Sequence, residues 1–268
     1  MMMFYIFLAA SLCVGLIMGS FLNCFIWRLY KNEGMWDRSY CPKCRKKISW
    51  YDNIPVLSFV FLRGKCRNCR KPISWQYPIV EAILGVLFML AFYLNWIGSF
   101  GTDVVLLSGD LPFMISLARD WFVIFTSMSI LVYDWRWMII PDRIIIPAIC
   151  LVLALNIFLG YSLAEVLYPA LLGGGFFLLQ FLISRGRWVG GGDARFGVFM
   201  GAVLADIWHL VIALLLAYWI GSIIGIFLII SKKKTLKSQL PFGIFLSVGL
   251  IISLFFANDI LQWYLGLL

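Results

Sequence analysis

Charge and histidine are the scarcest features of this 268-residue sequence. Only 13% of its residues are charged, and it has a single histidine, His209; soluble domains carry about 25% charged residues. One histidine, placed at the predicted outer end of a membrane span, leaves no base for a Ser-His-Asp or Cys-His triad. The sequence contains no HExxH and no Walker A motif, which excludes a zincin and a P-loop nucleotide site. Any catalytic chemistry must therefore come from other groups.

Hydrophobic residues make up 63% of the chain and are arranged in long runs, as in membrane proteins. Eight runs are predicted to span: 4–26, 78–97, 112–134, 143–160, 163–183, 193–204, 208–230 and 242–261. The first has no basic segment before it and carries Arg28 and Lys31 at its far end, so we interpret it as a retained span and not a cleaved signal peptide. The fold class is therefore predicted as an all-α polytopic membrane protein with about eight transmembrane helices.

The basic residues predict the topology, because cytoplasmic loops collect Lys and Arg. The segment 27–77 holds 12 of the 22 basic residues, and the loop 98–111 holds none. The later inner turns hold Arg136 and Arg143, then Arg185, Arg187 and Arg195, then Lys232, Lys233, Lys234 and Lys237. Arg119 is the one exception to this alternation. Both termini are predicted outside and segment 27–77 in the cytoplasm.

The same alternation decides two further questions. An even number of crossings must separate the basic turns near 185–195 and 232–237, so the short run 193–204 is predicted to cross. Topology also accounts for the net charge of +9, so the expected partner of the basic residues is the lipid bilayer and no nucleic acid.

Four of the seven cysteines form two CxxC pairs in segment 27–77. CPKC contains Cys41 and Cys44, and CRNC contains Cys66 and Cys69. CPKCRKKISW recurs 25 residues later as CRNCRKPISW, so each half is predicted to be a knuckle turn followed by a short strand, as in a zinc ribbon. Two such pairs predict a structural tetrahedral zinc site. The alternative is a pair of disulfides, which the predicted cytoplasmic location disfavours.

Four acidic residues are predicted at the inner face of the membrane domain: Glu81, Asp134, Asp142 and Asp193. If its helix continues to Ile140, Asp134 lies about one and a half turns inside the inner end. Asp193 follows three glycines and opens the short span 193–204, so both aspartates reach one depth. Two adjacent carboxyl groups share a proton and can act as base and acid on a water that attacks a peptide carbonyl.

Simpler interpretations remain open for each of these acids. Asp134 and Asp193 can be two unrelated helix-end residues. Asp142 follows Pro141 and is expected to cap its helix. Glu81 can do the same for its span, or it can be an auxiliary polar group.

Several motifs in order resemble those of the bacterial prepilin peptidases, membrane aspartyl proteases of the GxGD type. They are GSFLN at 19–23, the two CxxC pairs with their ISW segments, YPIVE at 77–81, YDWRWMIIPD at 133–142 and GGGDARFG at 190–197. The resemblance covers nearly the whole chain. It implies a catalytic pair formed by Asp134 and Asp193, and zinc ligation by the four paired cysteines.

The resemblance also implies an activity. The family cleaves basic leader peptides from type IV prepilins and type II secretion pseudopilins at the cytoplasmic face of the bacterial inner membrane. Many members then methylate the new N-terminus with S-adenosylmethionine. The expected organisation is a first transmembrane helix (1–26), a cytoplasmic zinc-binding loop (27–77) and a membrane-embedded peptidase domain (78–268).

Three positions depart from the family pattern, and two other functions stay open. The family usually has glycine after each CxxC, where this chain has Arg45 and Arg70, and lysine two residues after the second aspartate, where it has Arg195. One alternative is a zinc-bearing transporter with Asp134 and Asp193 as ion ligands. The other is an intramembrane protease for different signal-type segments.

Overall fold

The computed structural model describes residues 2–35, 37–100, 111–232, 235 and 240–267. The predicted outer loop 98–111 lies largely outside the described residues, and Lys233, Lys234 and Lys237 lie outside them entirely. Within the described residues the chain forms nine α-helices: α1 (Met2–Lys31), α2 (Leu57–Phe61), α3 (Gln76–Phe100), α4 (Leu111–Trp137), α5 (Asp142–Phe158), α6 (Leu163–Ser184), α7 (Gly191–Leu204), α8 (Ile207–Ile230) and α9 (Phe242–Leu265). A short 3-10 helix, Trp50–Asn53, precedes α2.

All eight predicted spans are helical. Six helices, α1, α3, α4, α6, α8 and α9, are long and apolar enough to cross a membrane. The predicted spans 143–160 and 193–204 form α5 and α7, of 17 and 14 residues. At 1.5 Å per residue α7 is about 21 Å long, shorter than a hydrocarbon core of about 30 Å. The all-α membrane fold is therefore confirmed, with two helices that are short.

The chain divides into two compact units, Met1–Gly109 and Asp110–Leu268. In the first unit α1 packs closely on α3 because two glycines leave room for it. A Cβ atom at Gly15 would stand 2.6 Å from the Leu84 carbonyl oxygen, and one at Gly19 would stand 2.5 Å from the Glu81 Cα. The division of the sequence into 1–26, 27–77 and 78–268 stays a prediction.

Helix α7 lies at the centre of the second unit. Its aromatic residues Phe196 and Phe199 are fully buried. It packs against α6 with almost no side chains between the two backbones, because Gly197 faces Gly173 and Gly201 faces the carbonyl of Pro169. A Cβ atom at any of these glycines would clash with backbone atoms of the other helix. The short helix is therefore held by backbone contact, as small residues allow between membrane helices.

The structure accounts for Arg119, the exception in the charge pattern. Its guanidinium donates to Asp120 Oδ1 at 2.8 and 3.0 Å and to Asn156 Oδ1 at 2.9 Å. The Asn156 amide in turn donates to the Ala202 carbonyl near the end of α7, at 2.6 Å. The positive charge of Arg119 is thus paired inside the protein, and its contacts link α4, α5 and α7. A charge that is paired in this way does not have to lie in a cytoplasmic loop.

Candidate active site

Asp134 lies in the last turn of α4 and is buried, with 4% of its surface exposed. The expected extension of this helix to Ile140 is wrong, since α4 ends at Trp137. Met138 takes a left-handed conformation (φ 53°), which ends the helix, and its N–H donates to the Asp134 carbonyl at 2.9 Å. Asp134 therefore lies three residues from the helix end, about 4.5 Å by helix rise, not one and a half turns.

Asp193 lies in the first turn of α7, as the sequence predicts, and is 8% exposed. The Gly190 N–H donates to Asp193 Oδ2 at 2.8 Å, so the carboxyl group caps its own helix. A Cβ atom at Gly192 would stand 2.9 Å from the Ile140 Cβ, so the glycine run packs directly on the turn that follows α4. The structure thus brings the segments that follow Asp134 and precede Asp193 into contact.

The first turn of α9 lies against the Asp134 carboxyl group. A Cβ atom at Gly243 would stand 2.8 Å from Asp134 Oδ2, and the backbone N–H groups of Gly243 and Ile244 act on this carboxyl group. Oδ2 itself is buried and accepts no hydrogen bond from the described residues. A helix N-terminus favours negative charge, so the start of α9 is a favourable neighbour for this carboxyl group, and Oδ2 stays available to a ligand. Sequence reasoning missed this contact, and the only local signal for it is the Pro-Phe-Gly start of α9.

A polar pair that sequence reasoning also missed lies next to the first turn of α9. The Tyr218 hydroxyl of α8 donates to Gln180 Oε1 of α6 at 3.1 Å, and the charge of Asp193 acts on Tyr218. The Tyr218 ring packs on Phe242, the residue before Gly243, with 5.1 Å between ring centroids. The first turn of α9 therefore contacts the ring of Tyr218 through Phe242 and the carboxyl group of Asp134 through Gly243.

Asp142 has a different role from the two buried aspartates. It is the first residue of α5, and Pro141, which suits a first helical position, is instead the N-cap. Its half-exposed carboxylate pairs with Arg195 in the first turn of α7. Arg195 replaces the family's usual lysine and keeps its positive charge. Its ion pair with Asp142 joins α5 to α7.

Glu81 belongs to the first unit and is buried in the second turn of α3. Its Oε2 accepts a hydrogen bond of 2.7 Å from the Val56 N–H, directly before α2. The Ser20 side chain also hydrogen-bonds to it. Glu81 therefore holds the chain entering α2 against α3, a contact that the sequence does not indicate.

The four paired cysteines form one cluster. Their sulfur atoms all lie within 4.8 Å of one another, and Cys41 Sγ is 4.0 Å from Cys69 Sγ. A tetrahedral site with Zn–S bonds of about 2.3 Å separates its sulfurs by roughly 3.8 Å, whereas a disulfide requires about 2.0 Å. All four cysteines are free thiols, and the cluster takes one pair from each half of the repeat. The donor set thus fits a single Zn(Cys)4 centre.

The thiols of this cluster do not ionise alike. The backbone N–H of Cys69 lowers the pKa of Cys66 to about 7. The backbone N–H of Lys46 also lowers the pKa of Cys44, but desolvation and the neighbouring sulfurs of Cys41 and Cys69 outweigh it and raise that pKa to about 11. Crowded thiolates repel one another, so a bound cation is what allows all four to be ionised together.

The sequence repeat is also a structural repeat. Cys41 N–H donates to the Lys46 carbonyl and Cys66 N–H to the Lys71 carbonyl, each at 3.0 Å. Each half closes with one isolated β-bridge, Tyr40 to Lys47 and Lys65 to Pro72, where short strands were expected.

Arg45 and Arg70, the residues after the CxxC pairs, have φ angles of 55° and 53°. This left-handed conformation is the one that glycine adopts without strain. It explains physically why glycine suits these positions, and it shows that the knuckle turn forms with arginine there.

Comparison with known proteins matches one family model to each of the two compact units of the chain. Residues 13–95 match the Bacterial Peptidase A24 N-terminal domain, and residues 121–230 match the Type IV leader peptidase family. The chain is 30% identical over 258 residues to a prepilin leader peptidase/N-methyltransferase of Bacillus subtilis, covering 94% of this chain and 95% of the relative. It is 30% identical over 217 residues to the protein of that name from Vibrio cholerae, covering 75% and 78%. No solved structure matches the chain.

Proposed function

Since this chain belongs to the type IV leader peptidase family, we propose that it cleaves the leader peptides of type IV prepilins and type II secretion pseudopilins, with Asp134 and Asp193 as the catalytic pair. The observation that carries the proposal is that two carboxyl groups are buried at the adjoining ends of α4 and α7, where Gly192, the residue before Asp193, packs on Ile140. Relatives that are named peptidases make the transporter alternative the weaker interpretation.

The arrangement supports a water-mediated mechanism. One ionised carboxylate takes a proton from a water molecule as its oxygen attacks the scissile carbonyl carbon. The other carboxyl group is protonated and donates a hydrogen bond to the carbonyl oxygen. The resulting tetrahedral intermediate breaks its C–N bond when a carboxyl proton passes to the leaving nitrogen. The unpartnered Asp134 Oδ2 is available to bind the water, and the Gly190 N–H holds Asp193 in a fixed orientation.

The test is cleavage of a prepilin substrate by the enzyme in lipid nanodiscs. Asp134→Asn and Asp193→Asn should each lower the rate by about 10²–10⁴-fold or more, because each removes an acid–base group. Asp142→Asn is the matched control. Asp142 is also an aspartate at a helix end, but it is half exposed and paired with Arg195. Leader cleavage that survives either Asp134→Asn or Asp193→Asn would refute the proposal.

We propose that the same chain methylates the new N-terminus, because the relatives are named N-methyltransferases as well. S-adenosylmethionine would supply the methyl group, as the family resemblance implies, and no residue is assigned to it. Mass spectrometry of a co-expressed pilin distinguishes cleavage alone from cleavage with one added methyl group. A mature pilin that always lacks the methyl group would exclude this second activity.

We propose that the cysteine cluster binds one structural zinc ion. A closed four-thiolate site leaves no position for substrate, so the metal stabilises segment 27–77 and takes no part in cleavage. Metal analysis of the purified protein should find one zinc per chain, and Cys41→Ser should lose the metal and lower stability. A preparation without zinc and with the four thiols oxidised would contradict this assignment.

The protein is a multi-pass protein of the bacterial inner membrane. We propose the orientation that the basic residues predict, with both termini outside and segment 27–77 in the cytoplasm. This orientation puts the aspartate pair near the face from which a prepilin leader emerges. Labelling of the termini and of the loop with membrane-impermeant reagents tests this orientation. Labelling of the termini only from the cytoplasmic side would show the opposite orientation.

A further inference from the structure

Tyr218 places a hydroxyl group in the middle of α8, a helix whose residues are mostly apolar. Asp193 lies twelve residues before Ala205, and Tyr218 lies twelve residues after Asp206. Helices α7 and α8 are joined by this two-residue turn, so both side chains lie about 18 Å from it. The hydroxyl group therefore lies at the depth of the aspartates, in agreement with the electrostatic action of Asp193 on it.

The Tyr218–Gln180 pair has unused hydrogen-bonding groups. Tyr218 donates its one hydroxyl hydrogen to Gln180 Oε1, which leaves the hydroxyl oxygen able to accept. Among the described residues, no partner accepts from the Gln180 amide nitrogen. If the amide is turned over, the tyrosine hydrogen and the amide oxygen become the free groups instead. In both orientations the pair offers at least one donor and at least one acceptor side by side.

A peptide unit needs this combination of groups. Cleavage requires that an extended peptide segment reaches the buried carboxyl groups of Asp134 and Asp193, which removes its backbone N–H and C=O groups from water. A peptide group that is buried without a hydrogen-bond partner is unfavourable, so the enzyme must pair with the backbone of this segment. The aspartates act on the scissile bond itself, and the neighbouring peptide units need other partners.

We propose that Tyr218 and Gln180 bind the backbone of the extended substrate segment next to the scissile bond. This inference rests on the proposed peptidase function. The pair recognises a peptide unit and not a particular side chain, so it serves substrates of different sequence. The Phe242 ring holds Tyr218 in place beside the residue that touches Asp134.

Tyr218→Phe and Gln180→Leu test the proposal in cleavage assays in nanodiscs. Each removes one hydrogen-bonding group while keeping most of the packing, and each should lower kcat/KM about ten- to hundredfold without changing the thermal midpoint. The double variant should lose no more than about the larger single loss, because the two groups act as a unit. Tyr168→Phe is the control, since Tyr168 lies twelve residues earlier on α6 than Gln180 and is 65% exposed.

A substrate with one backbone N–H replaced by an ester oxygen separates binding from a structural role. At one peptide bond beside the scissile bond, the ester should lower kcat/KM in the wild-type enzyme and have no further effect in the Tyr218→Phe, Gln180→Leu double variant. Additive losses at every position tested would overturn the inference, even if the variants were also less stable. Cleavage that depends on Asp134 but is unchanged by Tyr218→Phe would refute only this inference, whereas cleavage that survives Asp134→Asn would refute the peptidase mechanism itself.

Discussion

Gly243→Ala should impair catalysis without destabilising the protein. The added Cβ atom would stand 2.8 Å from Asp134 Oδ2 and 3.2 Å from its Cγ, where ordinary contact begins at 3.4 Å. The carboxyl group must therefore move by about 0.6 Å. A misplacement of about 1 Å costs roughly 10²-fold in rate, so we expect kcat to fall about ten- to twentyfold.

The thermal stability of this variant should rise slightly or stay unchanged. Gly243 lies inside α9, where alanine is favoured over glycine by up to about 1 kcal/mol, and this gain offsets the strained contact. The assay compares the cleavage rate with the thermal midpoint in the same nanodisc preparation. Gly175→Ala on α6 is the control, because a Cβ atom there meets nothing within 4 Å.

Two outcomes would refute this reasoning. Unchanged kcat in Gly243→Ala would mean that the first turn of α9 does not constrain the reacting carboxyl group. A parallel loss of rate and thermal midpoint would mean that Gly243 matters for packing alone.

Two further predictions concern stability. Arg45→Gly and Arg70→Gly should each relieve left-handed strain of about 1 kcal/mol and tighten zinc binding about fivefold, measured by competition with a chelator. Asn156→Leu should lower the free energy of unfolding by about 1–3 kcal/mol, measured by thermal unfolding, because it leaves the Ala202 carbonyl and part of the Arg119 guanidinium buried without partners.

Matched variants control both predictions. Lys71→Gly removes the same charge as Arg70→Gly at the next residue, which has no left-handed strain, so it should not tighten zinc binding. Asn258→Leu removes an exposed amide whose only hydrogen bond among the described residues is to the ring of His209, so it should cost little. Zinc binding that weakens in Arg70→Gly, or an Asn156→Leu protein as stable as the wild type, would contradict the respective argument.

Much of the fold followed from local sequence patterns. Hydropathy predicts where helices span because each span must satisfy its own backbone hydrogen bonds in lipid. The charge pattern also predicted the short run 193–204 as a span; this run forms the helix α7, and its crossing of the membrane stays a prediction. The predicted end of α4 was wrong, because Met138 adopts a left-handed conformation that ends the helix. The sequence does not mark this residue as a helix stop.

The candidate metal site could also be predicted from short segments of the sequence. Cys41 and Cys44 lie three residues apart, as do Cys66 and Cys69, so each turn presents two sulfurs from one short segment. The sequence repeat then implied that the halves match, and their hydrogen bonds do. Only the structure showed that Arg45 and Arg70 adopt the left-handed conformation, because backbone torsions depend on the closed turn.

The sequence by itself determined the helices, the cysteine cluster and the two aspartates, because hydropathy, residue spacing and the cost of a carboxylate in lipid are all properties of short segments. The tertiary structure decided what surrounds the aspartates. Gly243 lies 109 residues after Asp134. Tyr218 meets Gln180 only because α6 and α8 come together around α7. Such contacts join helices through packing, and no periodicity or spacing within one helix records which residue of a distant helix will face it.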